Sequence, residues 1–263
     1  MEQLYTFHLF AGAGGGILAD ALLGHWPVGA VEVEPYPRSV LLQRQRDGLL
    51  PPFPVWDDVR TFRADNPECA EFIEGLRSIR DRLVVCGGFP CQDISAAGKG
   101  AGLSGARSGL WNEMARIIRE IRPRHVFVEN SPILTSRGLH RVLGDLASMG
   151  FDARWGVLGG SHAGAAQEGD RLWMAATNRN HERMGKRYSP RPRTSPTQST
   201  RPMDLGDEAM GVVDSETAHP WWLSEPDVGR MAHGVADRLD KSRAIGNGQV
   251  PAVAALAWQV LND

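Results

Sequence analysis

The stretch from Tyr5 to Leu23, YTFHLFAGAGGGILADALL, decides the fold of this chain. Its first six residues have the compact apolar pattern of a strand, and alanines and glycines alone fill positions 11–16. The following apolar side chains have helical spacing, and Gly24 is a suitable stop. Strand, glycine loop and helix form the first half of a nucleotide-binding unit, in which the glycines let a ligand approach the backbone and the helix N-terminus attracts its anionic group.

The next predicted strand ends in an acid. Val28–Glu32 follows the first helix, and a carboxylate at this point is well placed to bind the diol of a ribose. The dinucleotide pattern G-x-G-x-x-G is not completed, because Ile17 occupies its last glycine position. The glycine loop and the acid are therefore compatible with a nucleoside ligand without identifying one.

A second candidate site lies in residues 83–92, LVVCGGFPCQ. The apolar run followed by paired glycines predicts a buried strand that stops abruptly in a loop. This loop presents Cys91 beside Pro90, whose φ is fixed by its ring. A thiol at a strand end suits a nucleophile if its thiolate is favoured and accessible. A buried structural cysteine is the alternative.

Strand-like and helix-like segments alternate along the chain, which is typical of a doubly wound α/β domain with a mostly parallel sheet. The predicted strands are Phe7–Phe10, Val28–Glu32, a short one around Val55, Leu83–Cys86, His125–Glu129, Ala153–Leu158 and Leu172–Ala176. The predicted helices are Gly16–Leu23, Pro37–Arg46, Ala70–Arg82, Leu110–Ile121, Leu139–Met149 and Pro251–Leu261. Because ligands of such folds bind at the carboxyl ends of the strands, we expect the candidate motifs to form one active site there.

Composition bounds the class of protein. A chain of 263 residues with 42% hydrophobic content can bury one substantial core and carry a small appended domain. Its three cysteines have no metal-ligand spacing, so we expect a reducing compartment and no metal site. Without a membrane-spanning run or a signal-peptide pattern, the expected location is the cytoplasm. The histidines form no cluster in the sequence, and we interpret them as core or surface residues.

A charged segment follows the last predicted strand. Residues 179–201 carry seven basic side chains and the single acid Glu182, and residues 202–229 reverse the sign with seven acids and no Lys or Arg. The net charge of −2 gives no overall nucleic-acid footprint, so attraction to DNA would depend on such local patches. Composition alone favours a solvated linker for both halves.

Three motifs in this order and spacing resemble those of the C5-cytosine DNA methyltransferases: Phe10–Gly15, Pro90-Cys91-Gln92 and Glu129-Asn130-Ser131. Further similar elements are Asp57-Asp58-Val59, Gly102–Trp111, Gln167–Arg171 and Gly246–Pro251. The resemblance covers roughly residues 5–176 and 227–262. One departure is Gly169, which stands where the family pattern Gln-x-Arg-x-Arg has its first arginine.

The resemblance implies methyl transfer from S-adenosylmethionine to C5 of a cytosine that is flipped out of double-stranded DNA. Cys91, flanked by Pro90 and Gln92, would add to C6 of the ring. Glu129 would hydrogen-bond or protonate N3, which requires a raised carboxyl pKa. Arg171 would hold O2, although a surface ion pair at the strand start is an alternative for this residue.

The resemblance also implies a cofactor pocket. Phe10 would pack on the adenine, Glu32 would take the ribose hydroxyls, and Asp58 would accept from the adenine amino group. Phe10 could equally belong to the core, and Asp57 competes with Asp58. The complete set of expected cofactor-binding residues is Phe10, Ala11, Gly12, Gly14, Gly15, Glu32, Val33, Asp58, Val59, Leu110, Asn247 and Gly248.

These expectations define the organisation of the chain. Residues 1–177 would form the catalytic and cofactor-binding domain, 178–228 a small target-recognition insert, and 229–263 a segment that returns to the catalytic domain. We expect a monomer that binds double-stranded DNA, with or without a cognate restriction endonuclease. Two alternatives are a cytosine methyltransferase acting on structured RNA such as tRNA, and a non-catalytic DNA-binding relative.

Overall fold

A computed structural model describes residues 3–90, 109–164, 169–179 and 248–263. Its strands form one seven-stranded sheet. The strands are β1 (Tyr5–Leu9), β2 (Trp26–Val31), β3 (Val55–Trp56), β4 (Leu83–Gly87), β5 (His125–Asn130), β6 (Phe151–Leu158) and β7 (Arg171–Asn178). Each predicted strand is confirmed, with ends that differ by at most two residues.

The sheet has the order β3-β2-β1-β4-β5-β7-β6. Strands β1 to β5 are parallel, whereas β7 is antiparallel to both of its neighbours. The doubly wound, mostly parallel α/β fold is therefore confirmed. Because β7 alone is reversed, its first residue, Arg171, lies at the edge where β1 to β5 end. The order of the strands reverses between β1 and β4, and this is where such sheets bind their ligands.

Helices cover both faces of the sheet. They are α1 (Gly15–Leu23), α2 (Pro35–Arg46), α3 (Pro67–Ser78), α4 (Leu110–Ile121), α5 (Leu134–Arg137), α6 (Leu139–Ser148) and α7 (Pro251–Asn262). One core cluster joins α3, α4 and α6 to side chains such as Phe7 and Val85. Helices α1, α2 and α7 cover the opposite face. Alternation along each strand divides the side chains between these two layers.

Some predicted helix boundaries are wrong. Helix α3 begins at Pro67 and ends at Ser78, rather than spanning residues 70–82. The Asn66 side chain accepts a hydrogen bond from the Glu68 amide, and Pro67 suits the first turn, so the cap sets this start. A separate 3₁₀ turn follows at Arg80–Arg82. The short helix α5 was not predicted, because four residues carry too little periodicity to detect.

The C-terminal helix returns to the main domain. Helix α7 makes its main contacts with α1, β6 and β7. Trp258 packs edge-on against Phe127, with ring centroids 5.4 Å apart. This packing places the residues just before Pro251 next to the glycine loop.

Most of the predicted insert, together with the Gln167–Glu168 pair, lies outside the described residues. The proposed division into three segments therefore stays a prediction. Within the described part of the chain, no helix is long and apolar enough to cross a membrane.

Candidate active site

The glycine loop between β1 and α1 is tightly folded. Phe10 and Gly12 have φ values of 56° and 55°, and Gly14 caps α1 in the left-handed region with φ 87°. Phe10 is therefore a non-glycine residue in a conformation that side chains rarely adopt. Such strain often occurs at functional sites, where the surrounding structure holds it in place. Here the Gly14 amide donates to the Ala11 carbonyl at 3.0 Å and closes the loop.

Glu32 fastens this loop to the end of β2. Its carboxylate accepts from the Gly12 amide at 2.6 Å and from the Glu34 amide at 2.8 Å, through different oxygens. Burial raises the pKa of Glu32, whereas the two amide hydrogen bonds oppose that shift. Each oxygen keeps a further lone pair, so the carboxylate can also accept from a ligand hydroxyl.

The loop after β3 lies beside Glu32. The Asp58 carboxylate accepts from the amide and the guanidinium of Arg60 at 2.9 and 3.0 Å, which shapes the turn. Arg116 on α4 donates to the Val59 carbonyl at 3.0 Å and holds the buried Val59 in place. Asp57 is exposed, whereas Asp58 is partly buried. The hydrogen bonds and the partial burial therefore favour Asp58 over Asp57 as the acid of this loop that has a fixed orientation.

The loop after β4 approaches the end of β5. Asn130 is buried, and its side-chain amide donates to the Phe89 carbonyl at 3.0 Å. Phe89 packs against Trp111, with ring centroids 5.4 Å apart. A Cβ at Gly88 would lie 2.6 Å from Glu129 Oε2, so a larger residue here would displace the Glu129 carboxyl. The backbone of Gly88 and Phe89, just before Pro90 and Cys91, is therefore held at the end of β5.

Glu129 and Arg171 form an ion pair at the same edge of the sheet. In the antiparallel register Glu129 lies opposite Trp173, which makes Arg171 its diagonal neighbour on the same face. Arg171 Nε is 3.2 Å from Glu129 Oε1, and the side chains are 35% and 12% exposed. Burial raises the pKa of Glu129 to about 7, although Arg171 and a hydrogen bond from Gln249 act in the opposite direction. Desolvation therefore outweighs the ion pair at this carboxyl.

Gln249 reaches the same carboxyl from the C-terminal segment. Its side chain hydrogen-bonds Glu129, and because a carboxylate only accepts, the amide is the donor. A Cβ at Gly15 would collide with the Gln249 backbone carbonyl, and one at Gly16 would collide with its side-chain oxygen. Gln249 thus lies between the glycine loop and Glu129.

A cleft of about 380 Å³, part of it open to solvent, lies at the reversal point between β1 and β4. It is bounded by the β1 end and glycine loop on one side and by Gly87 and Gly88 on the other. Glu129, Gly248 and Gln249 complete its lining. One opening thus exposes the glycine loop and the Glu129 carboxyl together.

The structure brings together only part of the predicted set. Phe10, Ala11, Gly12, Glu129 and Gly248 line the cleft. The remaining described members do not line it: Gly14, Gly15, Glu32, Val33, Asp58, Val59, Pro90, Leu110 and Arg171. Val33 is 52% exposed. Cys91, Gln92 and Asn247 lie outside the described residues.

Sequence reasoning missed Gln249 and Asn130. Both belong to recognised motifs, but the predicted site contains only their neighbours Gly248 and Glu129. Gln249 could have been predicted from its position two residues before Pro251, where the last helix begins. Asn130 could have been predicted as a polar residue at the end of a buried strand.

His8 belongs to a buried polar group around Asp20, in agreement with its interpretation as a core residue. Its Nε2 lies 2.8 Å from Asp20 Oδ2, and Thr6 donates to the same oxygen at 2.6 Å. His25 Nδ1 is 4.0 Å from the other Asp20 oxygen. Residues 6 and 8 point to the same face of β1, and Asp20 faces them from α1, a proximity that histidine spacing along the chain does not show.

The donor set fits a nucleoside ligand that carries an anionic group. Backbone amides at the start of α1 can receive an anionic group, and Glu32 can receive hydroxyl donors. Among the described residues, no group of three or more His, Cys, Asp or Glu side chains is placed to hold a metal ion. Cys69 and Cys86 are buried free thiols.

Comparison with known proteins places the chain among DNA methylases. The family model for C-5 cytosine-specific DNA methylase matches residues 4–220. The type II methyltransferase M.CviJI of Paramecium bursaria Chlorella virus IL3A is 29% identical over 67% of this chain and 44% of that protein. M.HhaI of Haemophilus parahaemolyticus is 32% identical over 37% of this chain and 31% of its own. The matched region thus spans less than half of these relatives.

Solved structures agree on the fold. A methyltransferase encoded within an E. coli prophage aligns with a TM-score of 0.52 and 21% identity. The alignment covers 68% of this chain and 48% of that one. At this identity the similarity concerns the fold alone.

Proposed function

This chain belongs to the C-5 cytosine-specific DNA methylase family, and we propose that it transfers a methyl group from S-adenosylmethionine to C5 of cytosine in double-stranded DNA. The observation that carries the proposal is the Glu129 site. A buried carboxyl with a pKa near 7 stands beside Arg171, next to the anchored loop that leads into Cys91.

Cys91 would be the nucleophile. Cytosine C5 is a poor nucleophile, and addition of a thiolate to C6 makes it enamine-like. The new S–C6 bond moves electron density from the ring onto N3 and O2. After C5 has taken up the methyl group, loss of its proton and breaking of the S–C6 bond release the product and regenerate the thiolate. A free thiol is a few per cent ionised near neutral pH, which suffices for this step.

Glu129 and Arg171 would stabilise the charge that this addition creates. Protonated Glu129 can donate to N3, and its pKa near 7 keeps a large fraction of it protonated at neutral pH. Arg171 would place a fixed positive charge beside O2. Its Nη1 donates to the carbonyls of Gly169 and Asp170 at 3.3 and 3.0 Å, which orients the guanidinium.

S-adenosylmethionine, when bound, supplies an electrophilic methyl group on a sulfonium centre. The residues present fit this cofactor. Glu32 would accept from the ribose hydroxyls with the lone pairs that Gly12 and Glu34 leave free. Asp58 would accept from the adenine amino group, and the amides at the start of α1 would receive the carboxylate of the methionine portion. Phe10, Val59, Leu110 and the Asn247–Gly248 pair would close the pocket.

Double-stranded DNA is the proposed substrate, and the target base would be flipped into the cleft at a cost of a few kcal/mol. The proposal follows from the family match and from the type II methyltransferases among the relatives. The chain would act as a monomer, and its charged segment after Arg179 would contact the DNA.

Bisulfite sequencing of DNA from cells that express the chain tests the proposal. We expect protected cytosines within one short sequence context, and none in cells that express Cys91→Ser. In parallel, purified protein should transfer labelled methyl groups to duplex DNA and not to tRNA. Transfer to tRNA alone would replace DNA by structured RNA as the substrate, and no transfer to either would contradict the proposed activity.

A further inference from the structure

Gln249 touches both halves of the site although the family resemblance gives it no role. Its amide donates to the Glu129 carboxyl, while its backbone carbonyl and side-chain oxygen pack against Gly15 and Gly16. Helix α7 begins two residues later and is fixed on α1, β6 and β7 by buried side chains, among them Trp258. Gln249 therefore directly precedes a helix that is packed against the domain, and it lies between the glycine loop and Glu129.

We propose that Gln249 is a positioning residue that links the glycine loop to Glu129 and orients the carboxyl of Glu129. The inference rests on the proposed function insofar as Glu129 is taken as the acid of the reaction. Gln249 itself acts through Glu129 and the glycine loop.

Close steric contacts connect Gln249 to the glycine loop and to the Glu129 region, in addition to its hydrogen bond with Glu129. A Cβ at Gly15 or Gly16 would collide with Gln249, so the C-terminal segment packs tightly against the start of α1. A Cβ at Gly88 would stand 2.6 Å from Glu129 Oε2 and 3.4 Å from Gln249 Nε2, so both side chains end at the same backbone position. A displacement of the glycine loop would therefore move Gln249, and Gln249 would change its hydrogen bond to Glu129.

The hydrogen bond from Gln249 changes the pKa of Glu129 in a definite direction. A donor to the carboxylate favours the ionised form, so Gln249 holds the pKa of Glu129 below the value that burial alone would give. The charged group acting in the same direction is Arg171 on β7, and His8 on β1 lines the same cleft. Removing the Gln249 amide should raise the pKa of Glu129 by about one unit, because a hydrogen bond to a charged group is of that strength.

The test is a titration of the protein without substrate. Carbon-13 NMR of selectively labelled glutamate carboxyls follows Glu129, with Glu129→Gln identifying its signal. We expect a midpoint near pH 7 in the wild type and about one unit higher in Gln249→Met, which keeps the size of the side chain and loses its amide. Gln259→Met, an exposed glutamine on α7, is the matched control and should leave the midpoint unchanged.

Two further variants keep the proposal falsifiable if Gln249→Met fails to fold. Gln249→Glu has the same shape but replaces the donor by a second carboxyl, and it should also raise the Glu129 midpoint. Gly15→Ala does not touch Glu129, yet it should shift the same midpoint upward by displacing Gln249. Gly75→Ala, where a Cβ has open space, should have no effect.

An unchanged Glu129 midpoint in both Gln249 variants would overturn the electrostatic effect of Gln249 on Glu129. A shift in these variants but none in Gly15→Ala would overturn the link to the glycine loop. The titration results do not depend on the proposed function. A wild type that fails to methylate DNA would contradict that function, but the Glu129 midpoints of the variants would still test the role of Gln249.

Discussion

At the scale of single residues, the site depends on one carboxyl whose pKa burial raises to about 7. Glu129 has a positive partner at 3.2 Å, which would normally lower its pKa. Its pKa nevertheless rises to about 7, because desolvation at the end of β5 is the larger effect. A group held in this way reduces the stability of the folded protein whenever the solution would ionise it.

The first prediction concerns this stability. The folded pKa of Glu129 is raised, so the unfolded chain loses its proton first as pH rises from about 4.5 to 7, and stability falls across that window. Glu129→Gln removes the penalty and should stabilise the protein by about 1–2 kcal/mol at pH 8, with a much smaller gain at pH 5. Urea unfolding at both pH values measures the difference. An equal gain at both would mean that the Glu129 pKa is not raised.

The second prediction concerns Glu32. Glu32→Ala removes the acceptor of the Gly12 amide and the proposed partner of the ribose, and should weaken S-adenosylmethionine binding by about 1–3 kcal/mol. Isothermal calorimetry measures this loss. Glu34→Ala removes a neighbouring exposed carboxylate and should keep the affinity within about twofold, roughly 0.4 kcal/mol. Unchanged affinity in Glu32→Ala would exclude Glu32 from the binding site.

At the scale of elements, strand alternation and strand ends explain what the sequence could predict. The glycine loop follows β1, Glu32 follows β2, and Glu129 belongs to β5, so local patterns were sufficient to place these residues at one edge of the sheet. The reversal of β7 was not visible locally, yet it brings Arg171 to the same edge as Glu129. The contact of Gln249 with Glu129 depends on how α7 docks, which no local pattern specifies.

The third prediction concerns the charged segment, whose structure lies outside the described residues. If residues 179–201 follow DNA phosphates, replacing Arg187, Arg191 and Arg193 by Gln should weaken binding to all duplexes alike. The slope of log K against log salt should fall in magnitude by roughly 0.9 for each phosphate that is no longer neutralised. The same three positions changed to Lys keep the charge and should keep most of the slope. An unchanged slope in the Gln variant would indicate a solvated linker.

At the scale of the whole molecule, one sheet brings motifs from distant parts of the chain into a single cleft. The loop after β1, the end of β5 and the segment before α7 meet there, although more than 100 residues separate each from the next. The fold class and most strands were predictable because each depends on a local pattern. The linking contacts were not, because they arise from packing between segments.

The central claim is that Cys91 attacks C6 of a cytosine in duplex DNA. Duplex DNA containing 5-fluorocytosine tests it, because fluorine at C5 cannot leave as a proton and the covalent complex should persist. With S-adenosylmethionine present, the wild type should form a denaturation-resistant complex with this DNA, and Cys91→Ser should form none while still binding the cofactor. Mass spectrometry should locate the attached nucleotide at Cys91. A wild type that methylates ordinary duplex DNA without ever forming this complex would contradict the account.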